Sequence, residues 1–157
     1  MRFGITGHQL LPRTIVDCAV AHWSRALPAG AALHGVSSLA EGADQLFATH
    51  ILACGGVLEA ILPCEGYAAS LATDAGRARF EQLRRAASTV LTLPYPRPSE
   101  EAFLAAGKLL VDRCDHLFAV WDGLPARGVG GTADVVDYAR SRGRSVTVLW
   151  VRGVVRV

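Results

Sequence analysis

Short, almost continuous apolar runs alternate along this chain with segments whose apolar residues recur at helical spacing, and that alternation constrains the fold most. Runs such as Leu117-Phe118-Ala119-Val120-Trp121 and Val146-Thr147-Val148-Leu149-Trp150 lack the in-out pattern of a half-exposed strand. Strands buried on both faces read this way, as in a parallel sheet covered by helices. The runs predict strands over 2–6, 31–37, 57–63, 89–93, 116–121 and 145–151. Between them, Ile15, Val16, Ala19, Val20, Trp23 and Leu27 share one helical face, bounded by Pro12 and Pro28. Leu46, Phe47, Ile51 and Cys54 form a second stripe that closes at Gly55-Gly56. A third helix, about 74–88, is thinly apolar and carries Arg77, Arg79, Arg84 and Arg85, which places it on the outside. A fourth, about 100–114, opens with Ser99 as cap and Glu100 and Glu101 in its first turn, and should bury Phe103, Leu104, Leu110 and Val111. The fifth, about 132–142, stops at Gly143. Leu93-Pro94-Tyr95-Pro96-Arg97-Pro98 should be extended and irregular. Strand and helix in regular alternation predict a single α/β domain: a three-layer, Rossmann-like fold with a mostly parallel, doubly wound sheet.

With 157 residues, 51% of them hydrophobic and 19% charged, the chain is long enough to close one core. Every apolar run is broken well short of the roughly 20 residues a membrane helix needs, so no membrane partner is expected. The amino terminus lacks the apolar stretch of a signal peptide, and a cytoplasmic location is expected. Cys18, Cys54, Cys64 and Cys114 show neither C-x-x-C spacing nor close pairing and read as free, mostly buried thiols. His22, His34, His50 and His116 have no ligand spacing, so no metal is expected. The formal charge of +2 is too small to argue for nucleic acid, which is therefore not expected as a partner.

In an open parallel sheet, ligands bind beyond the carboxyl ends of the strands, and three loops lie there. Thr6-Gly7-His8-Gln9 follows the first strand, and Ser37-Ser38-Leu39-Ala40-Glu41-Gly42-Ala43-Asp44 follows the second. Asp122-Gly123, then Gly128-Val129-Gly130-Gly131-Thr132-Ala133-Asp134, follows the fifth. Glycines let backbone approach an anion, Thr132 can cap the next helix, and free amides at a helix start attract phosphate. A tight strand-to-helix turn would account for Gly-Gly-Thr equally well, because neither the dinucleotide fingerprint nor the Walker A pattern is present.

These loops together resemble the SLOG superfamily, the Rossmann-like group that includes the Lonely Guy cytokinin-activating proteins and the Smf DNA-processing proteins. Gly4-Ile5-Thr6-Gly7-His8 looks like the family's first-strand loop. Ser38-Leu39-Ala40-Glu41-Gly42-Ala43-Asp44 is similar to the S-G-x-x-x-G-x-D element of the Smf branch. Residues 115–123 followed by Gly130-Gly131-Thr132 resemble the strand and glycine loop that hold phosphate. The resemblance implies a phosphate-bearing ligand and a homodimer formed through outer helices that include the third or fourth. One departure bears on activity. Aligning Gly131-Thr132 with the Lonely Guy motif P-G-G-x-G-T-x-x-E puts Val135 at the catalytic Glu and Arg127 at the leading Pro, while Asp134 falls one residue early. The phosphoribohydrolase activity does not carry over by motif, and neither Arg97 nor any residue of 100–114 matches the family's catalytic Arg.

The expected ligand-binding residues are Thr6, Gly7, His8, Ser37, Ser38, Gly42, Asp44, Asp122, Gly123, Gly130, Gly131 and Thr132. Each has a structural alternative. His8 could cap the first helix, the serines could close their own turn, and Asp122 could cap a turn at the end of an apolar strand. Glu41 and Asp44 at a helix start would be stabilised by its dipole with or without a ligand. Pro63, Cys64 and Glu65 could wall the pocket. The leading expectation is a module that senses or carries a nucleotide or nucleotide-derived ligand, with no other cofactor. The first alternative is an N-glycoside hydrolase of nucleoside monophosphates using Glu41, Asp122 or Asp134. The second is Smf-like binding of single-stranded DNA, against which the near-neutral charge weighs.

Overall fold

The computed structural model describes residues 1–125 and 131–157. Six strands form one parallel sheet: β1 (Arg2–Gly7), β2 (His34–Ser37), β3 (Val57–Cys64), β4 (Thr89–Tyr95), β5 (His116–Val120) and β6 (Ser145–Leu149). Their spatial order is β4-β3-β2-β1-β5-β6. The helices are α1 (Arg13–Ala26), α2 (Ala43–Ala53), α3 (Asp74–Ala86), α4 (Glu100–Asp112) and α5 (Thr132–Ser141). A short 3-10 turn, Tyr67–Ser70, has no counterpart in the sequence pattern.

The order follows from the handedness of β-helix-β connections. The chain steps outward from β1 to β4 with α1, α2 and α3 on one face. It then crosses back with α4 on the other face and lays β5 against the free side of β1. Phe3 pairs with His116 and Gly7 with Val120. The reversal leaves a crevice beyond the carboxyl ends of β1 and β5, the place where folds of this kind put ligands.

Helix faces pack as their periodicity requires. Ile15, Ala19 and Trp23 of α1 meet Phe47 and Ile51 of α2 over Ile5 and Phe118. Although α3 is the thinly apolar outer helix expected, it still buries Phe80 and Leu83 against β3 residues Leu58, Ala60 and Leu62. On the other face, Ala106, Leu110 and Val111 of α4 pack with Val135 and Ala139 of α5. Ser99 caps α4, accepting the Ala102 amide at 3.0 Å. All four cysteines are free, two of them buried.

Three local expectations change. Residues 31–33 turn before β2 begins at His34. β4 runs through Pro94 to Tyr95; it is an edge strand, and its register against β3 shifts between Leu62 and Cys64, the setting in which a strand tolerates proline. Phe103, expected in the core, is 37% exposed. No helix among the described residues is long and apolar enough to cross a membrane.

Candidate functional site

A cavity of about 610 Å³ opens where β1, β2 and β3 end, between the 3-10 turn, α4 and the start of α5. Its floor is the loop after β1. The His8 amide donates to the Val120 carbonyl at 3.1 Å, and the His8 carbonyl accepts the Ala43 amide at 3.1 Å, so this loop is clasped between β5 and the amino end of α2. Two glycines make the clasp possible. A Cβ on Gly7 would lie 2.5 Å from the Ala43 side chain. Gly42 has φ of 84°, and a Cβ there would lie 2.3 to 2.4 Å from the carbonyl oxygens of Gln9 and His8. Gly42 is thus structural, and it does not line the cavity.

The loop after β2 divides its polar residues between turn and cleft. Ser37 Oγ accepts the Leu39 amide and donates to the Asp44 carbonyl, both at 3.1 Å, and the residue is buried. It closes its own turn, whereas Ser38 lines the cleft. Asp44 lines the cleft as well; Oδ2 accepts the Ala40 amide at 3.3 Å, and burial pushes the carboxyl up to about 7. Glu41 turns away to receive the Thr73 amide at 3.0 Å and the Thr73 hydroxyl at 2.8 Å, bonds that hold it below the usual carboxylate range. Thr73 in turn caps α3 by accepting the Gly76 amide.

Asp122 is engaged from four sides. Arg156 donates to it through Nε at 2.8 Å and Nη2 at 2.6 Å, the Leu124 amide reaches it at 3.0 Å, and His8 Nε2 stands 3.4 Å away. The Arg156 bonds are the main reason its carboxyl lies well below the ordinary range. His8 also meets the ring of Trp150 edge-on at 5.4 Å, and Trp150 Nε1 donates to the Val154 carbonyl. A strap of residues 150–157 is thereby fastened beside the cleft, bringing Arg156 and Val157 into its wall.

The structure therefore sorts the sequence candidates. Thr6, Gly7, His8, Ser38, Asp44, Gly131 and Thr132 come together in one cleft, with Pro63 beside them. Ser37, Glu41, Gly42, Asp122, Gly123 and Asp134 are not in its lining, and neither are Cys64 and Glu65. Gly130 and Arg127 lie outside the described residues. His8 does not cap α1, whose cap position is Pro12, and Thr132 does not cap α5, because Gly131 holds that position. Val135 lines the cleft as an apolar wall where the Lonely Guy motif has its Glu. Of the carboxylates considered for hydrolysis, Glu41 and Asp122 are committed to structural bonds. The described residues hold no cluster of metal-ligating side chains.

Sequence reasoning missed Arg156, Tyr67 and the exposure of Phe103. Arg156 follows the last strand without any local pattern, and its partner Asp122 is distant in sequence. Tyr67 belongs to the unforeseen 3-10 turn. Phe103 sits on the apolar face of α4, where spacing cannot separate a core position from a cleft wall.

No family model and no curated protein matches the chain. Solved structures do. DNA processing protein A from Helicobacter pylori, described for its single-stranded DNA binding mode, superposes with a TM-score of 0.72 at 15% identity over 98% of this chain and 66% of its own. DNA processing protein A from Streptococcus pneumoniae superposes with a TM-score of 0.66 at 17% identity over 94% of this chain and 49% of its own. This chain thus spans less than two thirds of either protein. The expectation that set nucleic acid aside as a partner is corrected, because one protein of this fold binds single-stranded DNA and a near-neutral net charge is no ground for exclusion. At these identities the likeness is one of fold: the chain shares a Rossmann-like fold with DNA processing protein A.

Proposed function

We propose that this domain binds single-stranded nucleic acid across the cleft at the carboxyl edge of its sheet. The observation that carries the reading is the amino end of α5. Gly131 provides no side-chain cap, the helix begins at Thr132, and both residues form part of the cleft wall at the topological switch point. With no side-chain cap from Gly131, the first-turn amides and the positive end of the helix dipole suit a phosphate. Thr6, Ser38 and Thr132 add hydroxyls at the same cleft, and Phe103 adds an exposed aromatic face, the kind of platform on which unpaired bases stack. The fold shared with a single-stranded DNA binder supports the same reading.

Fluorescence anisotropy with a labelled oligothymidine of about 20 nucleotides tests it. Binding should weaken as salt rises from about 50 to about 200 mM, with a log-log slope of about −0.7 per phosphate neutralised. An unchanged anisotropy at the lower salt, with protein in large excess, would refute it. A second reading, a free nucleotide as ligand, is favoured by the cavity volume, which lies in the range of about 300 to 1,000 Å³ typical of small-molecule sites. Calorimetry with nucleoside monophosphates addresses that reading.

A further inference from the structure

Two polar side chains in the cleft wall are more than nine-tenths buried and still hold unspent hydrogen-bonding capacity. Asp44 is 8% exposed, and its Oδ1 has no hydrogen-bond partner among the described residues; only Oδ2 is used, by the Ala40 amide. Tyr67 is 7% exposed, and its hydroxyl makes no hydrogen bond among them either. Trp23 Nε1 is the one side-chain polar atom among the described residues that is both fully buried and unpartnered, so Asp44 Oδ1 and the Tyr67 hydroxyl keep access to the cleft they line, where a ligand can take up their free capacity.

The two groups act on the same space. Both line the cleft, and the Asp44 charge is one of the influences that raise the Tyr67 hydroxyl, after burial itself. Tyr67 also meets the exposed ring of Phe103 edge-on at 6.2 Å, and Phe80 supports Tyr67 from behind at 5.7 Å. Ala106, Gly107 and Leu110 continue the apolar wall along α4. The site thus offers a flat apolar surface ending in an acceptor and a hydroxyl, which is the complement of a planar heterocycle with a polar edge.

We propose that Asp44 and Tyr67 read the pairing edge of a guanine base stacked on Phe103. Guanine presents two adjacent N–H donors, at N1 and N2, which a carboxylate can accept together, and a neighbouring O6 acceptor, to which the Tyr67 hydroxyl can donate. Adenine and cytosine each offer a single exocyclic amine beside a ring acceptor, which would face the carboxylate lone pairs. Thymine offers one N–H between two carbonyls. This inference rests on the nucleic-acid reading above and names the base that the cleft selects.

The test compares labelled oligothymidines carrying one central dG, dA, dC or inosine, alongside GMP and AMP in calorimetry. The dG oligomer should bind about tenfold more tightly than the dA and dC oligomers, with inosine intermediate because it lacks the N2 amine. Tyr67→Phe keeps the ring and the aromatic packing, so it should reduce the dG preference without abolishing binding to oligothymidine. Asp44→Asn should remove the preference. Equal affinity for dG and dA oligomers together with equal affinity for GMP and AMP overturns the guanine assignment, even where oligothymidine binds as proposed. A dG preference that survives in both variants overturns it too. Selective binding of GMP without binding of any oligomer would uphold the base site and overturn the single-strand reading instead.

Discussion

Asp44, in the first turn of α2, and Asp122, just after β5, have opposite environments, which gives each a distinct signature in acid. Burial raises the folded-state carboxyl of Asp44 to about 7 from an ordinary value of 3.8, so the folded state holds this proton more tightly than the unfolded chain does. Its contribution to stability is therefore most favourable below about pH 4, declines between about pH 4 and 7, and is flat above. Asp122, held by Arg156, is depressed; its contribution is complete above its unfolded value near 4 and is lost only as the pH falls further toward its folded value. Urea unfolding at a series of pH values should show the two windows separately. Asn at position 44 should flatten the pH 4 to 7 slope and stabilise the protein at pH 8 by a few kcal/mol, since each tenfold change in proton affinity is worth about 1.4 kcal/mol. An unchanged slope in Asp44→Asn would show that the buried carboxyl is not its source.

Among the elements, one tight joint is the one between the β1 loop and the amino end of α2, where His8 and Gln9 backbone lies against Gly42. A side chain at Gly42 meets both a positive φ and two carbonyl oxygens. Gly42→Ala should cost about 2 kcal/mol or more and displace His8 from Asp122, seen as a lowered unfolding midpoint and altered His8 imidazole resonances. A midpoint equal to that of the parent protein would count against the clasp. The elements themselves are largely legible in the sequence, because strands buried on both faces and one-sided helices leave different periodicities. β5 and α4 fall within a residue or two of their expected bounds on that basis. The Tyr67–Ser70 turn does not show, since one turn of helix is too short to have a period. The cleft is legible only in part. Thr6, Ser38, Asp44 and Gly131 stand out because strand ends and glycines mark them, whereas Arg156 and Tyr67 reach the cleft through tertiary packing that no local pattern records.

For the whole molecule, the doubly wound order joins distant parts of the chain at its centre. β1 finds β2 on one side early in the chain, and on the other side it must wait for β5. A fragment ending at Pro98 contains β1 to β4 and α1 to α3 but leaves β1 with an open edge and the α4 face of the sheet uncovered. That fragment should show no cooperative urea transition by circular dichroism, and a sharp transition like that of the full chain would contradict this dependence on β5 and α4. Such nonlocal pairing is slow to form, since the chain entropy of closing the long loop is lost before the contacts that offset it exist. On the ribosome the delay has a definite length. At about 5 to 20 residues per second, roughly 5 to 20 seconds separate the emergence of β1 from that of β5. Throughout that interval the nascent chain carries an apolar strand with unpaired backbone groups in what will become the middle of its sheet. Its yield on expression should therefore depend on that waiting time as well as on the stability of the finished fold.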